Sequence, residues 1–469
     1  MVEINPRKIK LFITKEPSRG ALTFPNSSHS VLSAGWPEFD QAIHYSDSPE
    51  IRESGNIAER TKDKNSAGTA KLALLVRPQG LLNNQVQEPM GGALFEALQG
   101  KKLTFSTTIG TGGITASATT LPFGAITGDQ PAPRGVLLLD DGVNTELVLY
   151  QALSLTKDGS GNITSGSFDN CTRGYGSTTA QSFLAGDAVS LSNPCYAQSF
   201  GRPSLSVWYE LDGVIFFSRG VSISNLNLNL SNKGYPQFDL TGGFMEQGRA
   251  GKASLLSAAT ASVTLQLKAG EASHYSVGAR VQNMSTGDTN GGLGYEVIAV
   301  DLGLDQLTLN TAVTWGINEM IQGYLPQYTE LGSPLKSQDT YAELDNLHTI
   351  PTGGSFSVLA DVKYLEEEIS PGAPSDFAED QREIKASLDS VFAASDLKLL
   401  TDTEQGTTFR YALRLGDGTA GASCWIDLPR CHAQVPPTKV ANAVLSKTLD
   451  LVALDPVGET ERSALISFI

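Results

Sequence analysis

Residues 223–230 read Ile223-Ser224-Asn225-Leu226-Asn227-Leu228-Asn229-Leu230. A side-chain period of two puts Leu226, Leu228 and Leu230 on one face and Asn225, Asn227 and Asn229 on the other. That is a half-buried strand whose open face is polar and uncharged. Outward from it, residues 70–77, 205–209, 382–392, 409–415, 424–428 and 444–454 repeat the pattern of short alternating runs. Forty-seven glycines and many Ser, Thr and Asn residues punctuate them. The pattern predicts a mainly β protein. Helix signals are confined to 88–99, with Pro89 at the start and Gly100 as a stop, and to 394–401, with Ser395 and Asp396 as caps.

The chain has 469 residues, 40% of them hydrophobic and 18% charged, enough for two to four packed domains. No apolar run approaches the roughly 20 residues of a membrane helix, and residues 1–10 carry no signal-peptide core. Neither membrane insertion nor ordinary secretion is expected. The 34 Lys+Arg against 50 Asp+Glu give −16, which opposes nonspecific adhesion to nucleic acid or anionic lipid. Residues 328–469 hold 22 acidic and 11 basic residues, so −11 of the charge lies there and −5 in the first 327 residues.

An internal repeat orders the chain. Ser30-Val31-Leu32 and Ser357-Val358-Leu359 each open a strand leading to an acidic Ser-Pro stretch, Asp47-Ser48-Pro49 in one case and Glu366 to Pro371 in the other. A polar loop, a strand, a short helix and further strands follow in both. The reading is two copies of one β domain, at 9–250 and 328–469. The first is interrupted, giving segments 9–102 and 200–250. The interruption, 103–199, and the connecting stretch 251–327 each read as a small β module on the surface. Ala185-Gly186-Asp187-Ala188-Val189 and Val277-Gly278-Ala279-Arg280-Val281 give the two modules a related ending.

Signs of catalysis are lacking. His29, His44, His274, His348 and His432 form no triad pattern, there is no GxSxG elbow, and Gly110-Thr111-Gly112-Gly113 has no Lys-Ser/Thr after it. Cys171, Cys195, Cys424 and Cys431 lack metal-site spacing and read as packing residues in a reducing compartment. Asp140-Asp141-Gly142 reads as a hairpin turn, Glu366-Glu367-Glu368 as a solvated strand end, and Trp208, Trp315 and Trp425 as core. No metal, cofactor or catalytic residue is assigned.

The run Gln381-Arg382-Glu383-Ile384-Lys385-Ala386-Ser387-Leu388-Asp389, then Ser395-Asp396-Leu397, Trp425-Ile426-Asp427-Leu428-Pro429-Arg430 and Leu449-Asp450-Leu451-Val452-Ala453-Leu454, resembles the tail tube proteins of long, non-contractile bacteriophage tails. The first copy resembles them more loosely, through 68–78, 94–98 and 221–243. The resemblance implies two tube-type β-barrel or sandwich domains, each with a short helix, in a structural virion protein. Such a protein is made in the bacterial cytoplasm and polymerises as stacked rings around the channel for genome ejection. Its implied partners are further copies of itself, the tape-measure, distal-tail and terminator proteins, and duplex DNA that passes without specific binding. If a ring holds six such domains, three chains form it, a homotrimer with pseudo-sixfold symmetry. The charged loops 47–64 and 371–382, with Asp47, Glu50, Arg52, Glu53, Asp376, Glu379, Asp380 and Arg382, are expected to reach a neighbouring ring. Asn225, Asn227, Asn229 and Asp450 are expected to face a polar, acidic lumen. The competing readings are a distal-tail or baseplate hub that closes a single ring, and a surface carbohydrate-binding β protein.

Overall fold

The computed structural model describes residues 9–47, 60–230, 234–330, 332–345, 347–366, 372–391, 401–434, 438–441, 444–455 and 462–469. The chain is mainly β, as the alternating runs require. Only the strands of the two main sheets of each repeated unit are numbered below. Unit 1 has β1 (Ile9–Lys15), β2 (Glu38–Asp40), β3 (Gly68–Leu75), β4 (Leu205–Leu211), β5 (Val214–Leu230), β6 (Gln237–Phe244) and β7 (Glu246–Ala250). Unit 2 has β8 (Tyr341–Leu344), β9 (Pro351–Tyr364), β10 (Phe377–Val391), β11 (Thr408–Leu415), β12 (Cys424–Ala433), β13 (Thr438–Ala441), β14 (Val444–Ala453) and β15 (Leu465–Phe468).

The two units share one antiparallel pairing scheme. In unit 1 an outer sheet runs β1–β4–β5–β7 and an inner sheet β5–β6–β3–β2. In unit 2 the outer sheet runs β8–β11–β12–β15 and the inner one β12/β13–β14–β10–β9. In each unit one strand, β5 or β12, belongs to both sheets and makes the corner. In β5 the bend falls at Gly220, whose φ of 63° favours glycine and where a Cβ would lie 2.4 Å from the Met245 sulfur. The triplets Ser30-Val31-Leu32 and Ser357-Val358-Leu359 are not counterparts. Ser30–Val31 pairs with β1 in the outer layer, whereas Ser357 to Leu359 lie in inner strand β9, whose partner in the scheme is β2. A three-residue apolar-polar run fits any half-buried strand, so it aligns nothing by itself.

The two inner sheets are joined edge to edge. The second half of β5 pairs with β9 from Asn225↔Leu359 to Leu230↔Gly354. One hydrophobic core therefore runs through both units, taking in Leu226, Leu228, Leu240, Phe356, Leu388 and Leu451. Helix α1 (Gly92–Gln99) lies in it, and Phe95 packs against Phe238 of β6 and Phe468 of β15 at ring distances of 5.2 Å each. The helix starts later than the 88–99 pattern suggests, because Gly91 is left-handed at φ 77° and caps it; Gly100 ends it as expected. Of the second predicted helix, residues 394–400 lie outside the described residues, and 401–404 are helical.

The modules are built on one pairing path as well: first strand to last, last to third, third to fourth, fourth to fifth, fifth to second. At 251–327 it runs Lys252–Ser254, Met320–Gly323, Arg280–Asn283, Tyr295–Asp301, Gln306–Trp315, Ala259–Gln266. At 103–199 it runs Phe105–Thr108, Ala188–Leu191, Gly135–Asp140, Thr145–Tyr150 with Ala152–Lys157, Ile163–Asp169, Leu121–Phe123. The Ala185–Val189 and Val277–Val281 segments lead into different strands of that path, the last and the third. Their likeness is a turn with a left-handed glycine, Gly186 or Gly278.

Candidate functional site

The joined inner sheet presents one open face, and its rows can be read from register. Gln237, Asn229, Ser355, Ser387 and Asp450 form a continuous row across β6, β5, β9, β10 and β14. The next rows carry Asp239, Asn227, Ser357 and Lys385, then Lys71, Thr241, Asn225, Leu359 and Glu383. Asn225, Asn227, Asn229 and Asp450 thus share one face, with Asn229 and Asp450 in one row. Hydroxyls and amides knit the rows: Ser355 and Ser387 approach at 2.9 Å, the Thr448 hydroxyl donates to Asp389 at 2.6 Å, and Gln237 Nε2 donates to Asp239 at 2.5 Å.

Charge on this face is acidic. Outside β13 and the β9–β10 hairpin tip, where Lys363 meets Asp361 and Asp380, Glu38, Asp40, Asp239, Glu383, Asp389 and Asp450 stand against Lys71 and Lys385, six against two, a balance of −4. Both lysines are engaged by carboxylates, Lys71 with Glu38 at 2.8 Å and Lys385 with Glu383 at 2.7 Å. Hydrogen bonding to Glu38 and its charge raise the Lys71 pKa, which keeps the ammonium in that pair. The additional carboxylates and both lysines were legible in the same way as the asparagines, since 68–75 and 237–243 alternate with the same period of two.

The edges of the inner sheet are the second feature. Among the described residues β2 pairs with β3 alone and β13 with β14 alone. Trp36 and Ile43, on either side of β2, are 45% and 44% exposed. In the pairing scheme β2 is the counterpart of β9, and β13 with the end of β12 is the counterpart of the second half of β5. The free edges are therefore equivalent to the two edges already paired inside the chain.

The charged segments are placed differently from expectation. Asp47 ends a strand, Ile43–Asp47, paired with Arg60–Asn65; Glu50, Arg52 and Glu53 lie outside the described residues. Glu379, Asp380 and Arg382 are not in a loop but in β10, with Asp376 just before it. The β9–β10 hairpin folds back over unit 1 of the same chain. Glu379 receives Arg19 at 2.7 Å and Arg202 at 3.1 Å, and Arg382 donates to the Gln99 carbonyl at 2.8 Å. Arg19 also lies 4.2 Å over the Phe377 ring, and the Tyr364 hydroxyl donates to the Gly220 carbonyl at 3.0 Å. Arg202 is fully buried; desolvation lowers its pKa, and Glu379 opposes that shift. Charge alternation with strand residues cannot be told from a charged loop by composition, which is why 371–382 reads as a loop in the sequence.

The four cysteines are free and buried, and burial pushes the Cys171, Cys195 and Cys431 thiols up to about 12. Among the described residues no group of three His, Cys, Asp or Glu side chains could hold a metal ion, and no helix is long and apolar enough to cross a membrane. Trp208, Trp315 and Trp425 are buried, and Asp140-Asp141-Gly142 turns a hairpin with Gly142 at φ 84°. A cleft of about 690 Å³ beside the hairpin, lined by Phe200, Glu379, Arg382, Asp455 and Ser463 among others, contains neither histidine nor cysteine. No protein-family model and no curated protein matches this chain.

Proposed function

We propose that the chain is a structural wall protein that assembles head to tail into rings and stacks them into a tube, the channel of a long non-contractile phage tail. The observation that carries this reading is the β5–β9 joint. It pairs two unlike edges of two like units and leaves the same two unlike edges free at the ends. A second chain can therefore add by repeating a contact the first already makes within itself. Heterologous contacts of this kind close into rings when the rotation allows.

Each chain supplies eight inner strands, β2, β3, β6, β5, β9, β10, β14 and β13. Three chains give six units, the count that the resemblance implies. At about 4.8 Å per strand and a tilt of 35–45°, such a barrel is about 45–50 Å across between backbones. That is ample for a duplex. The open face then lines the lumen, and its carboxylates repel DNA phosphates so that the duplex slides. The modules sit on the outer sheets, away from that face: 251–327 packs on Phe12, Trp208 and Phe217 of unit 1, and 103–199 on Ala412 and Trp425 of unit 2.

Electron microscopy of the purified chain tests the proposal. Hollow tubes with three chains per ring are the expected result. Isolated rings that never stack favour the hub reading, and compact monomers refute assembly altogether.

A further inference from the structure

The module at 103–199 grows out of unit 1 but rests on unit 2. Arg134 is the centre of the contact. Its side chain is 4% exposed, its guanidinium meets Glu343 of β8 at 2.7 Å and Asp427 of β12 at 3.1 Å, and it lies 4.1 Å over the Trp425 ring. Around it Val136 and Leu147 of the module share an apolar cluster with Ala412, Trp425 and Ile469 of unit 2. The Tyr175 hydroxyl donates to the Gly418 carbonyl at 3.0 Å, and Arg462 donates back to the Pro131 carbonyl at 3.0 Å.

The base of the module is tied in as strongly. Its exit strand, Cys195–Gln198, pairs with β15, the edge of the outer sheet of unit 2, and with Gly100–Lys102 on its other side. The contact surface is also held rigid from within. Glu146, fully buried, takes two charge-assisted bonds from Arg173 at 2.8 and 2.7 Å and the backbone N–H of Gly174 at 2.8 Å, which sets Tyr175 beside it. Unit 2 has no equivalent insertion: only residues 405–407 separate its helical residues 401–404 from β11.

We infer that the 103–199 module is a brace, an intramolecular clamp that locks unit 2 at one angle to unit 1 and so sets the curvature that the wall inherits. The buried ion pairs make it a clamp of defined geometry, since Arg134 satisfies both carboxylates only in one relative placement. The joint between chains has no counterpart from unit 2. Curvature is thus set in half of the joints, and the others follow.

The consequence for the wall rests on the tube reading; the brace itself does not. Two variants test it in the full chain: Arg134→Ala, and the milder Arg462→Ala, which removes only donors to module carbonyls. Hydrogen exchange in Cys195–Gln198 and Leu465–Phe468 is expected to speed up by about tenfold or more in Arg134→Ala and less in Arg462→Ala. Tubes of these variants are expected to vary in diameter. Unchanged exchange together with uniform tubes of wild-type diameter overturns the brace. If Arg134→Ala does not fold, Arg462→Ala decides. If the wild-type chain forms no rings, the tube reading falls and the exchange measurement still decides the brace.

Discussion

The two repeated units follow one pairing scheme but differ in the sequence of their corner strands. In unit 1, β5 is a single strand of 17 residues, bent at Gly220 and paired on both sides in its second half. In unit 2 the same path is covered by β12 and β13, and the sequence that joins them reads Gln434-Val435-Pro436-Pro437, of which 435–437 lie outside the described residues. Proline has no N–H to give to a ladder, so it is at home on an edge and not inside a sheet. The second half of β5 is paired with β9 inside the chain, whereas β13 pairs with β14 alone among the described residues, and prolines beside such an edge resist pairing with the wrong partner.

The largest way to break the comparison is at the paired joint. Glu379 gathers Arg19, Arg202 and Arg382, with Arg202 wholly out of water. We predict that Glu379→Gln lowers stability by about 3–5 kcal/mol, because it leaves buried guanidinium charge without its counter-ion. Denaturant unfolding measures this. A loss below about 1 kcal/mol would mean that the hairpin is held by strand pairing alone.

The two faces of the inner sheet give the next test. Leu228 is fully buried in the shared core, whereas Leu359, on the open face beside Asn225, is 52% exposed. Leu228→Ala is predicted to cost about 2–5 kcal/mol and Leu359→Ala less than about 0.5 kcal/mol. Equal costs would place both side chains in the core and reverse the assignment of the faces.

Much of this was legible from residue order. The Asn/Leu alternation at 225–230 identified both a strand and its polar face, because a period of two leaves no other arrangement. The repeat was legible as an order of elements. Its alignment was not, since the pairing that matches β9 with β2 is a long-range property that a triplet such as Ser-Val-Leu does not encode. The segment 371–382 misleads for a related reason: Glu379 and Arg382 are charged because they meet charges on unit 1, and a buried ion cluster looks like a solvated loop in sequence. Arg134 carried no signal at all. Its partners, Glu343 and Asp427, are 209 and 293 positions away.

The charge of the open face shows where sequence arithmetic stops. The last third of the chain holds −11 of the −16, yet the rows of the open face outside β13 and the β9–β10 hairpin tip are divided evenly between the units. Glu38, Asp40 and Asp239 against Lys71 give −2 in unit 1, and Glu383, Asp389 and Asp450 against Lys385 give −2 in unit 2. Most of the acid excess of unit 2 therefore lies away from those rows. Asp239→Lys in unit 1 and Asp450→Lys in unit 2 are accordingly predicted to have matching effects: little change in stability, and a similar gain in duplex DNA retention by assembled tubes. Retention should fall with salt, each new phosphate contact adding about −0.9 to the slope of log affinity against log salt. Filter binding at several ionic strengths reads this directly. Retention by the Asp450→Lys tube alone would show that the two units do not contribute equally, and tight salt-sensitive binding by the wild type would refute the proposal that the acidic face keeps duplex DNA from being held.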